Sequence, residues 1–234
     1  MAPVPAISQG SGLPAEAPRR PAPTAIVPAA GFSRRMGRPK LLLPFGATSV
    51  VGALVGALRA GGVGRVVLVT APAAAELAAW ARAAGLVVAV NGAPERGMLS
   101  SIRCGLEALG GGGAVAAAGA PLLVSPADLP ALAAETVRRV IAAVAAGAAL
   151  AVPVHAGRRG HPLGIAAALT PEIEGLDPEV GLRQLVERRA GELVEVAVDD
   201  PGAVRDVDTP EDYRCLRKQA QEERSALPNG EMDP

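Results

Sequence analysis

The segment Gly31-Phe-Ser33-Arg34-Arg35-Met-Gly37-Arg38-Pro-Lys40 places four cations, two glycines and a hydroxyl within ten residues. Such a group suits a phosphate ester. Arginine grips phosphate oxygens in a fork, lysine acts as a compact charge, and glycine lets the backbone approach a ligand closely. Two acidic places elsewhere complement it: Asp128, and the run Asp206-Val-Asp208-Thr-Pro-Glu-Asp212. Mg²⁺ is ordinarily held by one or two carboxylates together with substrate phosphates and water. Each feature also has a plainer reading. The basic segment could be a solvated loop, Asp128 a helix cap before Pro130, and Thr209-Pro210-Glu211 simply a well-capped helix start. Alternation along an extended segment puts Asp206 and Asp208 on one face, so spacing does not choose between them.

The elements that must position these residues follow from the apolar pattern. Ala25–Pro28 is a short buried strand that ends directly in the basic loop. Arg65–Thr70, Leu86–Val90, Leu122–Val124 and Ala149–Val154 are apolar runs of strand length, as expected of strands covered on both faces. Helices fall between them: Val50–Ala60 behind a Thr48 or Ser49 cap, Ala73–Ala84, Ile102–Leu109 opened by Gly97–Ser101, and a long helix from near Pro130 to Ala146. Gly110–Gly113 reads as a flexible connector, and His155–His161 as a basic turn before the extended segment Pro162–Ile165. Short helices at Leu169–Ile173 and Gly181–Arg189 and a strand at Leu193–Val198 precede a terminal helix reaching about Glu223. Strands alternating with helices imply a mostly parallel sheet. Both Asp128 and the basic loop then stand at its carboxyl edge, where such sheets bind ligands.

Composition narrows the partners. Among 234 residues, Lys+Arg and Asp+Glu are both 23 and only 2% are aromatic. There is no net field to attract nucleic acid or a membrane surface and no base-stacking platform. The longest apolar run, Val140–Val154, is too short to span a bilayer. Cys104 and Cys215 are far apart and read as buried thiols in a reducing compartment. A cytoplasmic protein is expected, with a proline-rich disordered leader over 1–23, one domain over 24–223 and a polar tail over 224–234. Two familiar phosphate loops are absent, since neither the Walker A spacing nor G-x-G-x-x-G occurs.

Ala29-Ala30-Gly31, Ser33, Arg35-Met36-Gly37 and Lys40 resemble the signature of the molybdenum cofactor cytidylyltransferases, (L/P)-A-A-G-x-S-x-R-M-G-x-x-K. Gly97-Met98 with Ser101 and Gly105-Leu106, Asp128-Leu-Pro, Arg159-Gly160-His161-Pro162 and Asp206–Asp212 are similar to later segments of that family. The resemblance covers roughly Ala25–Tyr213. It implies a three-layer α/β fold with a Rossmann-like sheet of the nucleotide-diphospho-sugar transferase type. The implied activity transfers CMP from CTP to a phosphorylated acceptor, most naturally molybdopterin, with release of pyrophosphate. Ala29, Ala30, Gly31, Ser33, Arg35, Lys40, Gly97, Ser100 and Ser101 would bind the nucleotide, and Arg159 and His161 the acceptor. Arg35, Lys40 and Asp128 would be catalytic, and Asp128 with Asp208 (or Asp206) would hold Mg²⁺. GTP in place of CTP, another organic phosphate acceptor, or a non-catalytic nucleotide-binding maturation protein are the alternatives. A molybdoenzyme or chaperone is the partner class that the family suggests.

Overall fold

The computed structural model describes residues 21–31 and 39–226, with side chains to residue 222. The expected leader before residue 21, Ser33 and Arg35 within the basic loop, and the tail beyond residue 226 lie outside the described residues. In chain order the elements are β1 (Thr24–Pro28), a small hairpin of β2 (Pro44–Phe45) and β3 (Thr48–Ser49), α1 (Val50–Ala60), β4 (Arg65–Thr70), α2 (Ala75–Ala83), β5 (Val87–Val90), α3 (Met98–Glu107) and α4 (Gly112–Ala118). There follow β6 (Leu122–Val124), α5 (Ala134–Ala145), β7 (Leu150–His155), β8 (Arg158–Arg159), β9 (Leu163–Ile165), α6 (Leu182–Arg188), β10 (Leu193–Ala197) and α7 (Pro210–Ala226).

The strands form one sheet in the order β10-β7-β9-β6-β1-β4-β5, with β8 pairing β7. All neighbours on that path are parallel except β9, which runs antiparallel to both β6 and β7. Strand alternation assigns the two faces. Ala25 and Val27 of β1 join Leu54 and Leu58 of α1, Leu77 of α2 and Val137 of α5 in one core. Ile26 points the other way, into a second core with Leu99, Ile102 and Leu106 of α3. Helices therefore cover both faces, and the architecture is three-layer α/β with a mostly parallel sheet.

β1 and β6 are hydrogen-bonded neighbours, with Thr24, Ala25 and Ile26 in register with Leu122, Leu123 and Val124. The chain leaves β1 toward β4 on one side, whereas β6 lies on the other. Their carboxyl ends thus open at a point where strand order reverses, the usual place for a ligand crevice in such sheets.

Several sequence expectations need correction. β5 is an edge strand whose Val87 and Val90 are exposed, not a strand covered on both faces. Among the described residues no strand pairs its outer side, and of its four residues only Ala89 is buried. Gly112 and Gly113 begin α4 instead of a connector, because Gly111 with φ 88° turns the chain into the helix. α5 begins at Ala134, after a turn spanning Pro126–Ala131. Cys215 is exposed and Cys104 half-buried. On α7 it is Tyr213 and Leu216 that face the core, which leaves Cys215 outward. Among the described residues no helix is long and apolar enough to cross a membrane.

Candidate active site

A cleft of about 350 Å³ opens at the carboxyl ends of β1 and β6. Pro28–Gly31 forms one wall, Gly97, Met98 and Ser101 from the start of α3 another, and Pro126–Asp128 the third. Lys40 closes the mouth, its ammonium donating to Asp128 Oδ2 at 2.6 Å and to Asp208 Oδ1 at 3.1 Å. Burial, the largest single influence, pulls the Lys40 pKa down, yet Asp128 and Asp208 together outweigh it and hold the ammonium above the usual lysine range. A fixed positive charge therefore sits between two carboxylates at the cleft edge.

Asp128 is not a helix cap. It lies six residues before α5, and its backbone carbonyl accepts a hydrogen bond from Val207 N–H at 2.9 Å. That bond is one of several that pin the carboxyl-terminal segment against the Asp128 turn. Val207 is fully buried with Phe45, Val50, Tyr213 and Leu216, so the residues on either side of it, Asp206 and Asp208, are held at the surface of the same site. They lie in an extended segment outside any strand. Oxygens of Asp128, Asp206 and Asp208 come within 4.8 Å of one another.

The segment before Val207 is anchored by Asp200, which is buried. Its carboxylate accepts from Ala133 N–H (3.0 Å), Thr136 Oγ1–H (2.6 Å) and Gly202 N–H (2.9 Å). Gly202 admits no larger residue: a Cβ there would lie 2.0 Å from the Ala131 carbonyl oxygen. Asp200→Ala should therefore cost about 3 kcal/mol, since a buried carboxylate serving three donors is lost and those donors are left unmet. Urea unfolding checks this, and a change below about 1 kcal/mol would show that the anchor is dispensable.

At the other end of the acidic run, Thr209 Oγ1 accepts from Asp212 N–H, while the Asp212 carboxylate accepts from Asp208 N–H, Thr209 N–H and the Thr209 hydroxyl. The Thr209 hydroxyl, ahead of burial and the backbone donors, holds Asp212 below the usual carboxylate range. Capping of the terminal helix and presentation of Asp208 are thus properties of one motif.

The other expected site residues are distributed as follows. Ala29, Ala30, Gly31, Gly97 and Ser101 line the cleft. The Ser100 hydroxyl turns back to the Gly97 carbonyl at 2.7 Å, and the residue borders a separate hollow with Asn91 and Arg103. Arg159 is exposed on β8, and its Nε donates to Glu195 of β10 at 2.7 Å. His161 is largely buried, near enough to Asp128 and Asp206 to feel their charge. Burial nonetheless pushes its imidazole below the usual histidine range. Among the described residues no partner meets His161 Nδ1. Asn91 and Leu41 belong to the site or its support and were not singled out in the sequence. For Asn91 the available signal was an amide directly after an apolar strand, at the edge where ligands bind.

The acidic trio suits a hard divalent cation in donor type, being all oxygen. Its spacing is comparable with the ~4 Å that separates opposite ligands around Mg²⁺. That Lys40 already presents a cation to two of the three shows that the group attracts positive charge.

Comparisons with known proteins agree with this geometry. Residues 25–194 match the family model described as the MobA-like NTP transferase domain. Among solved structures, Rv0371c from Mycobacterium tuberculosis H37Rv is 32% identical over 84% of this chain and 97% of its own, with a TM-score of 0.70. Rv0371c in complex with manganese matches at 29% identity over 84% and 98%, with a TM-score of 0.65. A nucleotidyl transferase from Methanothermobacter shares the fold at 24% identity over 86% and 99%, with a TM-score of 0.70. A search of curated proteins gives no match. With the cleft at the β1–β6 switch point, the acidic trio and a family match over most of the folded chain, this protein belongs to the MobA-like NTP transferase domain family, within the nucleotidyltransferases.

Proposed function

We propose that this chain transfers CMP from CTP to a phosphorylated small molecule, with molybdopterin as the acceptor, and that it needs a divalent cation. The observation that carries this reading is the convergence of Asp128, Asp206 and Asp208 with Lys40 at the mouth of a cleft walled by Ala29–Gly31 and Ser101. A phosphate oxygen of the acceptor attacks the α-phosphorus of CTP. The new P–O bond forms as the bond to the β-phosphate breaks, and pyrophosphate departs with the electron pair. No covalent protein intermediate is required.

The residues of this chain supply position and charge. Lys40 turns from the carboxylates to the triphosphate. Backbone N–H groups around Gly31 approach the phosphates, and by resemblance Arg35 and Ser33 add to them. Asp128 and Asp208, with Asp206 beside them, would hold Mg²⁺ or Mn²⁺, which when bound neutralises phosphate charge. That Rv0371c, to which this chain is similar, was solved in complex with manganese supports the use of a divalent ion. By resemblance His161, as a neutral ring, and Arg159 would contact the acceptor.

The choice of base rests on the Ala-Ala-Gly sequence and on short walls. A site built to hydrogen-bond one base leaves polar groups unpaired with another, and discrimination reaches up to ~10⁴-fold. CTP should therefore outcompete GTP when both are offered in one reaction and the labelled products are separated. GTP winning that competition would overturn the cytidylyl assignment and leave the fold and family standing.

A further inference from the structure

We infer that Asn91 is a positioning residue that fixes the Ser101 hydroxyl as a hydrogen-bond donor toward an acceptor atom of the bound nucleoside. The inference rests on the nucleotide reading of the cleft given above.

Asn91 is buried just beyond β5. Its backbone N–H continues the ladder by donating to the Thr70 carbonyl at 2.8 Å. The direction of its amide is set by Ala93, whose N–H donates to Oδ1 at 2.9 Å. A backbone donor demands the carbonyl end, so the NH₂ end must face α3. There Nδ2 donates to Ser100 Oγ at 2.8 Å and to Ser101 Oγ at 3.0 Å. Both N–H donors of the amide are thereby committed, and its oxygen holds a backbone donor.

The two serines are then unequal. Ser100 accepts from Asn91 and gives its own proton to the Gly97 carbonyl at 2.7 Å. It has no proton left for a ligand. Ser101 also accepts from Asn91, but among the described residues no acceptor takes its proton, and it lines the cleft. With one lone pair engaged by the amide and its proton unclaimed by the protein, the O–H points into the cleft as a donor. Ser101 thus favours a carbonyl oxygen, ring nitrogen or ribose oxygen over the exocyclic amine of cytosine, which is itself a donor.

Asn91→Asp separates this arrangement from mere scaffolding. At pH 8 an aspartate still accepts from Ala93 N–H, but it can only accept from Ser101, so the hydroxyl turns away and presents lone pairs to the ligand's lone pairs. Isothermal titration of the full chain with Mn²⁺ and CTP or GTP, whichever the wild type binds more tightly, gives the readout. Ser101→Ala should weaken binding by about 3–10-fold, the value of one net hydrogen bond. Asn91→Asp should weaken it more, by up to ~100-fold, because an unmet polar pair is worse than an absent one. The double variant Asn91→Asp/Ser101→Ala should return to the level of Ser101→Ala, since no hydroxyl remains to be turned although the new charge is still present. Asn91→Ala, which frees the hydroxyl to rotate, should fall near Ser101→Ala and serves if the aspartate variant does not fold. Binding by Asn91→Asp equal to wild type, or a double variant weaker than both singles, would overturn the inference while leaving the nucleotide site intact. Absence of nucleotide binding by the wild type would overturn the reading of the cleft and this inference together.

Discussion

Asp128→Asn should lower kcat/KM for nucleotidyl transfer by about 10²-fold or more while the protein stays folded. The substitution keeps the shape of the side chain and an oxygen facing Lys40. It leaves untouched the backbone carbonyl to which Val207 is bonded, so the carboxyl-terminal segment remains in place. What it removes is one of three negative charges gathered at the cleft mouth. Asp208 alone is then left with the full ion pair to Lys40, and a divalent cation loses a charged ligand. Steady-state pyrophosphate release, alongside a thermal melt, tests this. Unchanged turnover with unchanged metal dependence would return Asp128 to a structural role in the turn before α5.

Lys40→Ala should have two effects of opposite sign. Loss of triphosphate neutralisation should reduce kcat/KM by the equivalent of about 2–4 kcal/mol. Without nucleotide, however, the Lys40 ammonium competes with a metal for Asp128 and Asp208, to which it is bonded at 2.6 and 3.1 Å. Its removal should therefore tighten Mn²⁺ binding to the nucleotide-free protein, measured by the paramagnetic resonance of free Mn²⁺. The variant should also melt lower, since three crowded carboxylates lose their internal cation, and Mn²⁺ should restore the melting temperature by binding the folded state. Weaker Mn²⁺ binding by the variant would show that Lys40 supports the acidic group instead of competing for it.

Much of this arrangement is legible in the residues themselves. Apolar runs mark β1, β4 and β6 because each is covered on both faces. Ser49, whose hydroxyl accepts from Gly52 N–H, announces α1, and Thr209-Pro210 announces α7 by local capping chemistry. The position of Asp128 at the carboxyl edge follows from the same logic, since a polar residue ending a buried strand must emerge where the sheet meets solvent. Features set by distant partners are not legible. β9 is as apolar as its neighbours, and nothing in Leu163–Ile165 states that it enters antiparallel between β6 and β7. The approach of Asp206 and Asp208 to Asp128 depends on Asp200, Gly202 and Val207 meeting residues 64 or more positions away, which residue type alone does not disclose. Similarly, Ser100 and Ser101 are indistinguishable as neighbours in sequence. Both accept from Asn91, and only the fold separates Ser100, which gives its proton to the Gly97 carbonyl, from Ser101, which lines the cleft.

The most direct measurement offers the full chain α-labelled CTP or GTP, Mg²⁺ or Mn²⁺, and molybdopterin beside a panel of other phosphorylated acceptors. Label from CTP should appear in a molybdopterin adduct, with pyrophosphate released in equal amount, and both should vanish when the metal is chelated. A chain that binds nucleotide and metal yet transfers label to none of the acceptors would contradict the assignment as a transferase.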